Sequence, residues 1–301
     1  MTHRFVTVSI IPHGALDASV TIPGSKSCTA RALVMAGLTH GNSALVEPAD
    51  CDDTDCMIAG LTALGVPVTR YSSTSPKSLV VDGHAFESPL APMLLGNSGT
   101  AMRFLCAACA AMNGEAVLDG GPRMRQRPIG DLVDALQMWG VTVTASDTQC
   151  PPVRVVSSGA FGGRTRIRGG ASSQYLSGLL MAAPRANQPC EIEVEGELVS
   201  KPYIDLTIAM MAERGVTASH DGYRCFRVAC NQVYAPGTYP IEADASGASY
   251  FLAAAAIAGG RVRVANLTRK SHQGDAQFAS VLERMGCVAL EGPDWIEVQS
   301  G

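Results

Sequence analysis

The chain has 301 residues, 47% of them hydrophobic and 17% charged, with a formal net charge of −4. That composition is globular and long enough for two hydrophobic cores, and its mild acidity argues against nucleic acid or an anionic membrane as the main partner. The opening "MTHRFVTVSI" lacks the apolar stretch of a secretory signal and no apolar run is long enough to span a bilayer, so a cytoplasmic protein is the expectation.

After an N-terminal strand, the predicted elements recur in chain order. "SCTARALVMAGL", from Ser27, reads as a buried helix rich in Ala and Leu, and "LTALGVPVT" as a second helix ending in Gly65 before an alternating strand. "TAMRFLCAACAAM", from Thr100, starts a second round. In it "RPIGDLVDAL" opens a helix with proline and acid, and "LQMWGVTVT" carries Gly140. "SQYLSGLLMAAP" from Ser173, "KPYIDLTIAM" and "MAERGVTAS" with Gly215 form a third round, and "SGASYFLAAAAIAGG" from Ser246 with "LERMGCVAL" around Gly286 a fourth.

Ser27, Thr100, Ser173 and Ser246 follow one another at 73 residues, and Gly65, Gly140, Gly215 and Gly286 at 75, 75 and 71. Two independent landmarks with nearly one period establish an internal repeat of helix, strand, helix and strands, present four times. Each glycine suits the left-handed residue just past a helix end. The four units either continue as one solenoid or close as three with one left over, and the turn-rich "APGTYPIEADAS" (235–246) is where the chain would cross between domains. If three close around a pseudo-threefold axis, their first-helix N-termini point to one place and their partial charges make an anion site.

The residues at those starts fit that chemistry: Lys26, Ser27 and Arg31; Asn97, Ser98, Gly99, Thr100 and Arg103; Ser172, Ser173 and Gln174. The second-helix starts add Arg123, Arg125 and Arg127, then Ser200 and Lys201. Cations and hydroxyls gathered at loops of an acidic chain suit a small substrate carrying phosphate and carboxylate. Each residue alone is equally an ordinary cap or a solvated side chain; their repeat-equivalent placement favours the site. Neither "PGSKS" nor "GNSGT" has Walker spacing. His3, His13, His40, His84, His220 and His272 form no ligand array, so no metal is expected, and no G-x-S-x-G elbow occurs. The C-x-x-C of Cys106 and Cys109 reads as small buried thiols packing like alanine, and Cys51/Cys56 and Cys225/Cys230 as free thiols without histidine partners.

The motifs "PGSKSCTARALVMAGLTHG", "LGNSGTAMRFL", "PRMRQRPIGDLVDAL", "SSQYLSGLLM", "LVSKPYIDLT" and "YPIEADASGASYFLAAAAI" resemble, in order and over essentially the whole chain, those of 5-enolpyruvylshikimate-3-phosphate (EPSP) synthases. The sister UDP-N-acetylglucosamine enolpyruvyl transferases share the fold, but "SKS" and "RPIGDLVDAL" favour the shikimate branch. The resemblance implies an α/β fold of βαβαββ units around a pseudo-threefold axis. Residues 23–238 would form a complete three-repeat domain, and 1–22 with 239–301 a partial, discontinuous one. It implies transfer of enolpyruvyl from phosphoenolpyruvate to the 5-hydroxyl of shikimate 3-phosphate, a step of aromatic amino acid biosynthesis, with no cofactor and no metal.

Residue by residue, the resemblance implies that Ser27, Arg31, Ser172, Ser173 and Ser200 bind shikimate 3-phosphate, with Tyr203 beside its ring. Lys26 and Gln174 would touch both substrates, Lys26 also as a candidate proton-transfer group. Gly99 and Arg127 would bind phosphoenolpyruvate, and Asn97 would shape that pocket. Phe104 stands where glyphosate-sensitive members usually have proline, and Ser98 where alanine is common; both bear on affinity for phosphoenolpyruvate and glyphosate. The family has six units and this sequence shows four. That leaves three expectations: a truncated enzyme, one half of a split enzyme completed by a C-terminal fragment or by self-association, or a module that binds shikimate 3-phosphate without catalysis.

Overall fold

Residues 14–73 and 75–301 are described by a computed structural model of the chain; the segment "MTHRFVTVSI", His3 and His13 lie outside them. In order, the elements are β1 (Leu16–Val20), α1 (Lys26–Gly37), β2 (Gly41–Val46), α2 (Asp52–Ala63), β3 (Val68–Tyr71), β4 (Ser78–Gly83), β5 (Met93–Leu94) and α3 (Gly99–Ala108). Next come β6 (Asn113–Asp119), α4 (Gly130–Met138), β7 (Thr142–Thr144), β8 (Val153–Ser158), β9 (Gly163–Arg168), α5 (Ser173–Ala182), β10 (Cys190–Glu195) and α6 (Lys201–Ala212). The chain ends with β11 (Ala218–Asp221), β12 (Cys225–Val228), β13 (Gly237–Pro240), α7 (Ala245–Ala258), β14 (Gly260–Val264), α8 (Phe278–Arg284), β15 (Val288–Glu291) and β16 (Ile296–Gln299).

The repeat has a single sheet topology. The sheets run β13-β2-β4-β3, β5-β6-β8-β7, β9-β10-β12-β11 and β1-β14-β16-β15, each with one parallel pair followed by two antiparallel pairings. The first repeat takes its opening strand from the far end of its unit: β13 lies parallel to β2, Gly237 opposite Ser43 through Pro240 opposite Val46. This closure rules out an open solenoid for these three repeats. It also moves the expected boundary. The described residues divide into Pro23–Asp244 and the segment ending at Ile22 with Ala245–Gly301, so the larger unit reaches Asp244 rather than 238, because Tyr239 and Pro240 are strand residues of its own sheet.

Within the larger unit, α1, α3 and α5 pack on one another. Apart from Lys26, Arg31, Arg103 and Gln174 their residues are apolar or small, and nearly every residue of α3 and α5 is buried. Gly178 sets the closeness of that packing, since a Cβ there would lie 3.1 Å from Ala107 Cβ and 3.3 Å from the Arg103 carbonyl. The outer helices bury one face only, as α4 does with Leu132, Val133, Ala135 and Leu136. Cys106 and Cys109 are buried free thiols of α3; burial pushes Cys106 up to about 12 and raises Cys109 as well, so neither is a ready nucleophile. In the smaller unit, α7 buries Ala245, Ala248, Leu252 and Ala255 but leaves Tyr250 79% and Ile257 86% exposed. Among the described residues no helix is long and apolar enough to cross a membrane.

The glycine landmarks end the second helix of every repeat. Gly65, Gly140, Gly215 and Gly286 have φ of +84°, +85°, +78° and +102°. In each repeat the following N–H (Val66, Val141, Val216, Cys287) bonds back to the carbonyl of Leu61, Leu136, Met211 or Leu282, closing a Schellman turn. An added Cβ at Gly140 meets nothing within 4 Å, so Gly140→Ala isolates the cost of a left-handed L-residue. We expect a loss of about 1 kcal/mol, read as a lower urea midpoint at unchanged slope; an unshifted midpoint would contradict this account of the turn.

Candidate functional site

Three serines start the inner helices. Ser25 Oγ accepts from Cys28 N (3.4 Å), Ser98 Oγ from Ala101 N (3.2 Å) and Ser172 Oγ from Gln174 N (3.3 Å). Ser27, Thr100 and Ser173 therefore lie in the first turns rather than at the caps, and their helix starts carry orphan N–H groups.

Side-chain bonds tie those starts together. Lys26 Nζ sits 3.3 Å from Asp53 Oδ2, while the Ser98 hydroxyl donates to Asp53 Oδ1, so one carboxylate joins α1, α2 and α3. Gln174 Nε2 donates to Thr100 Oγ1 at 3.0 Å, and Arg103 Nη1 donates to Gln174 Oε1. Arg127 Nη1 donates to the Asn97 carbonyl at 3.3 Å. Its guanidinium lies so close over Gly99 that an added Cβ would fall 2.6 Å from Arg127 Cζ. Lys26, Asn97, Gly99, Arg127 and Gln174 thus join into networks at the helix starts.

Arg31 reaches the same region from below. Only 2% exposed, it donates from Nε to Thr207 Oγ1 (2.8 Å), from Nη1 to the Ser27 carbonyl (2.9 Å), and from Nη2 to Ser177 Oγ (3.3 Å) and the Tyr203 carbonyl (3.1 Å). Ser27 and Tyr203 are thereby linked to it through their backbones. Ser173 is buried in the first turn of α5. Ser200, exposed with φ +56°, precedes α6 and spends no side-chain bond on capping it; Tyr203 N bonds to its carbonyl. Arg125 is committed elsewhere: its hydrogen bond holds the Asp119 carboxyl below the usual value and pins the turn leading to Arg127.

The charge pattern is the telling feature. On the outer sheet faces, arginines pair with carboxylates, as Arg154 does with Glu115, Arg164 with Glu191 and Arg168 with Asp131. Among the described residues, Arg31, Arg103 and Arg127 have no carboxylate within ion-pair distance. Burial pushes Arg31 down to about 10 and lowers Arg103 too. A desolvated cation without a counter-charge is costly, and an arriving anion removes that cost. The cleft of about 690 Å³ lined by Asp131, Arg166, Arg168 and Glu195 lacks this property, because its arginines and acids neutralise one another.

Sequence reasoning did not single out Asp53, Ser177 or Thr207. Asp53 was visible only as one acid of "CDDTDC" at a helix start, a pattern that dipole complementarity explains by itself. Ser177 and Thr207 sit inside apolar helices, and nothing local marks them.

Comparison with known proteins is unambiguous about kinship. A sequence profile described as EPSP synthase (3-phosphoshikimate 1-carboxyvinyltransferase) matches residues 10–301. Proteins named 3-phosphoshikimate 1-carboxyvinyltransferase from Pectobacterium atrosepticum and Serratia proteamaculans are 45% and 46% identical over 98% of this chain and 69% of their own length. The Escherichia coli O127:H6 protein of that name is 44% identical over 98% of this chain and 70% of its own. An EPSP synthase structure from Acinetobacter baumannii superposes with a TM-score of 0.80 at 19% identity, a likeness of fold, covering 97% of this chain and 66% of that one. The chain thus spans roughly two thirds of the length of the relatives it matches. With the repeat topology and the motif order on the shikimate side, these matches settle the kinship: the chain belongs to the EPSP synthase family of carboxyvinyl transferases.

Proposed function

We propose that this chain acts in the cytoplasm in the transfer of a carboxyvinyl group from phosphoenolpyruvate to the 5-hydroxyl of shikimate 3-phosphate. Shikimate 3-phosphate would be held by Lys26, Ser27, Arg31, Ser172, Ser173, Gln174, Ser200 and Tyr203. Phosphoenolpyruvate would be held by Lys26, Asn97, Gly99, Arg127 and Gln174. The observation that carries the reading is the set of arginines without carboxylate partners around linked helix starts. Two substrates that between them bring phosphates and carboxylates supply the missing counter-charge.

The chemistry follows from where charge develops. The hydroxyl gives up its proton as its oxygen adds to the enolpyruvyl carbon, while the methylene takes a proton; the tetrahedral adduct then loses a methyl proton and expels phosphate, which leaves with the proton the hydroxyl gave up. Lys26, with an exposed ammonium steadied by Asp53, is placed at a helix start to pass a proton and to balance the leaving phosphate. Titration calorimetry of the folded chain with shikimate 3-phosphate should give saturable heat; its absence would overturn the reading.

Gly99 offers a second test. The atoms nearest a methyl there belong to the movable end of Arg127, and Gly99 is the first residue of α3, so Gly99→Ala should change stability by less than about 1 kcal/mol. By displacing Arg127 it should weaken phosphoenolpyruvate binding about tenfold. Unchanged affinity would remove Arg127 from that subsite. Self-association through the partial domain, whose α7 leaves Tyr250 and Ile257 exposed, is tested by sedimentation velocity at rising concentration; a monomer throughout would reject it.

A further inference from the structure

Phe104 marks a departure from the family pattern, and its surroundings give it a different role from the one that pattern suggests. It is fully buried in α3, an unbroken helix whose start keeps its Ser98 cap. Its ring instead faces α1: Arg31 Cζ lies 5.4 Å from the Phe104 ring centroid and 5.9 Å from that of Tyr203. The same guanidinium is tied in its plane by Thr207 and Ser177, both fully buried; Thr207 Oγ1 gives its one proton to the Tyr203 carbonyl (2.7 Å) and lies 2.9 Å from Ser177 Oγ, whose hydroxyl can donate to it. α1, α3, α5 and α6 thus each contribute one side of a seat around a cation that lacks a carboxylate.

We propose that Phe104, with Ser177 and Thr207, is a positioning residue for Arg31, and that it acts on the shikimate 3-phosphate side of the site. The face of an aromatic ring replaces part of the hydration the buried guanidinium has lost without neutralising it. A carboxylate in that place would hold Arg31 equally well and cancel the charge the substrate needs. The hydroxyls fix the guanidinium plane and the ring fixes its depth. This inference rests on the functional reading above for its effect on affinity, but not for its effect on Arg31 itself.

The test separates the two. In ¹⁵N-labelled chain, the Arg31 Nε–Hε signal reports the bond to Thr207 whatever the ligand. Phe104→Leu should speed its hydrogen exchange about tenfold and weaken shikimate 3-phosphate binding by a similar factor. Thr207→Val should do the same and Thr207→Ser should restore both, which keeps the test open if Phe104→Leu fails to fold. In an Arg31→Lys background the affinity effect of Phe104→Leu should shrink. An unchanged Arg31 exchange rate, or an affinity loss of equal size with Arg31 and with Lys at that position, overturns the proposal. Absence of shikimate 3-phosphate binding by the unaltered chain would instead defeat the functional reading, with the exchange rate still deciding the positioning claim.

Discussion

Arg31→Met is expected to weaken shikimate 3-phosphate binding by about 100-fold while lowering the stability of the chain by about 3 kcal/mol. Two terms oppose each other in the folded state. Burial lowers Arg31 from 12.5 to about 10, which corresponds to roughly 3 kcal/mol of unfavourable charge burial that methionine removes. Against that stand the bonds to Thr207, Ser177 and the Ser27 and Tyr203 carbonyls, each worth about 1.5 kcal/mol or more because the donor is charged. The two only partly cancel, leaving a loss of about 3 kcal/mol. No such compensation exists for binding, where losing a desolvated cation opposite phosphate or carboxylate costs about 2–4 kcal/mol.

Denaturation and calorimetry on one preparation distinguish this from a structural role, which would give a destabilised chain with intact affinity. The sign of the linkage adds a third readout. Arg31 is depressed in the folded state, so as pH rises from about 10 toward 12.5 the native chain loses this proton before the unfolded one. Its contribution to stability therefore rises through that window. The difference in stability between the parent and Arg31→Met should vary there and be flat at neutral pH.

Local physics decides which parts of this fold were legible in the sequence. Gly65, Gly140, Gly215 and Gly286 are readable because a left-handed residue past a helix end is a one-residue requirement. The serine caps are readable to within two residues for the same reason. The strand that closes the first repeat is not: "GTYP" carries little strand signal, and its partner β2 lies far back in the chain. Pairing of that kind is settled by the whole unit, not by a window.

The site divides along the same line. Lys26, Gln174 and Arg127 stand out because cations and amides at repeat-equivalent helix starts serve neither the core nor the caps. Ser177 and Thr207 do not, because a hydroxyl in an apolar helix is normally satisfied by its own turn, and only the arrival of Arg31 from α1 gives them another use. Phe104 illustrates a subtler limit. Its deviation from the family pattern was visible, but the direction of its effect was not, since that depends on which neighbour its ring faces.

Lys26→Met is expected to separate binding from stability more sharply. The Lys26–Asp53 pair is open to solvent, with side chains 49% and 29% exposed, so its loss should change the unfolding free energy by at most about 0.5 kcal/mol. The ligand sees a different environment. Once shikimate 3-phosphate covers the helix starts, the Lys26 ammonium is taken out of water beside a dianion, and the same charge then acts through a lower effective dielectric. We expect a loss of affinity of about 100-fold at low ionic strength, with the gap narrowing as salt rises because part of the attraction is screened. Asp53→Asn should move affinity the other way or not at all, since it removes a competitor for the ammonium while keeping a partner for Ser98. Parallel titrations of the three chains at two salt concentrations provide the check. Equal affinities for the parent and Lys26→Met would place the ligand away from the α1 start, and a substrate site at the linked helix starts would have to be abandoned.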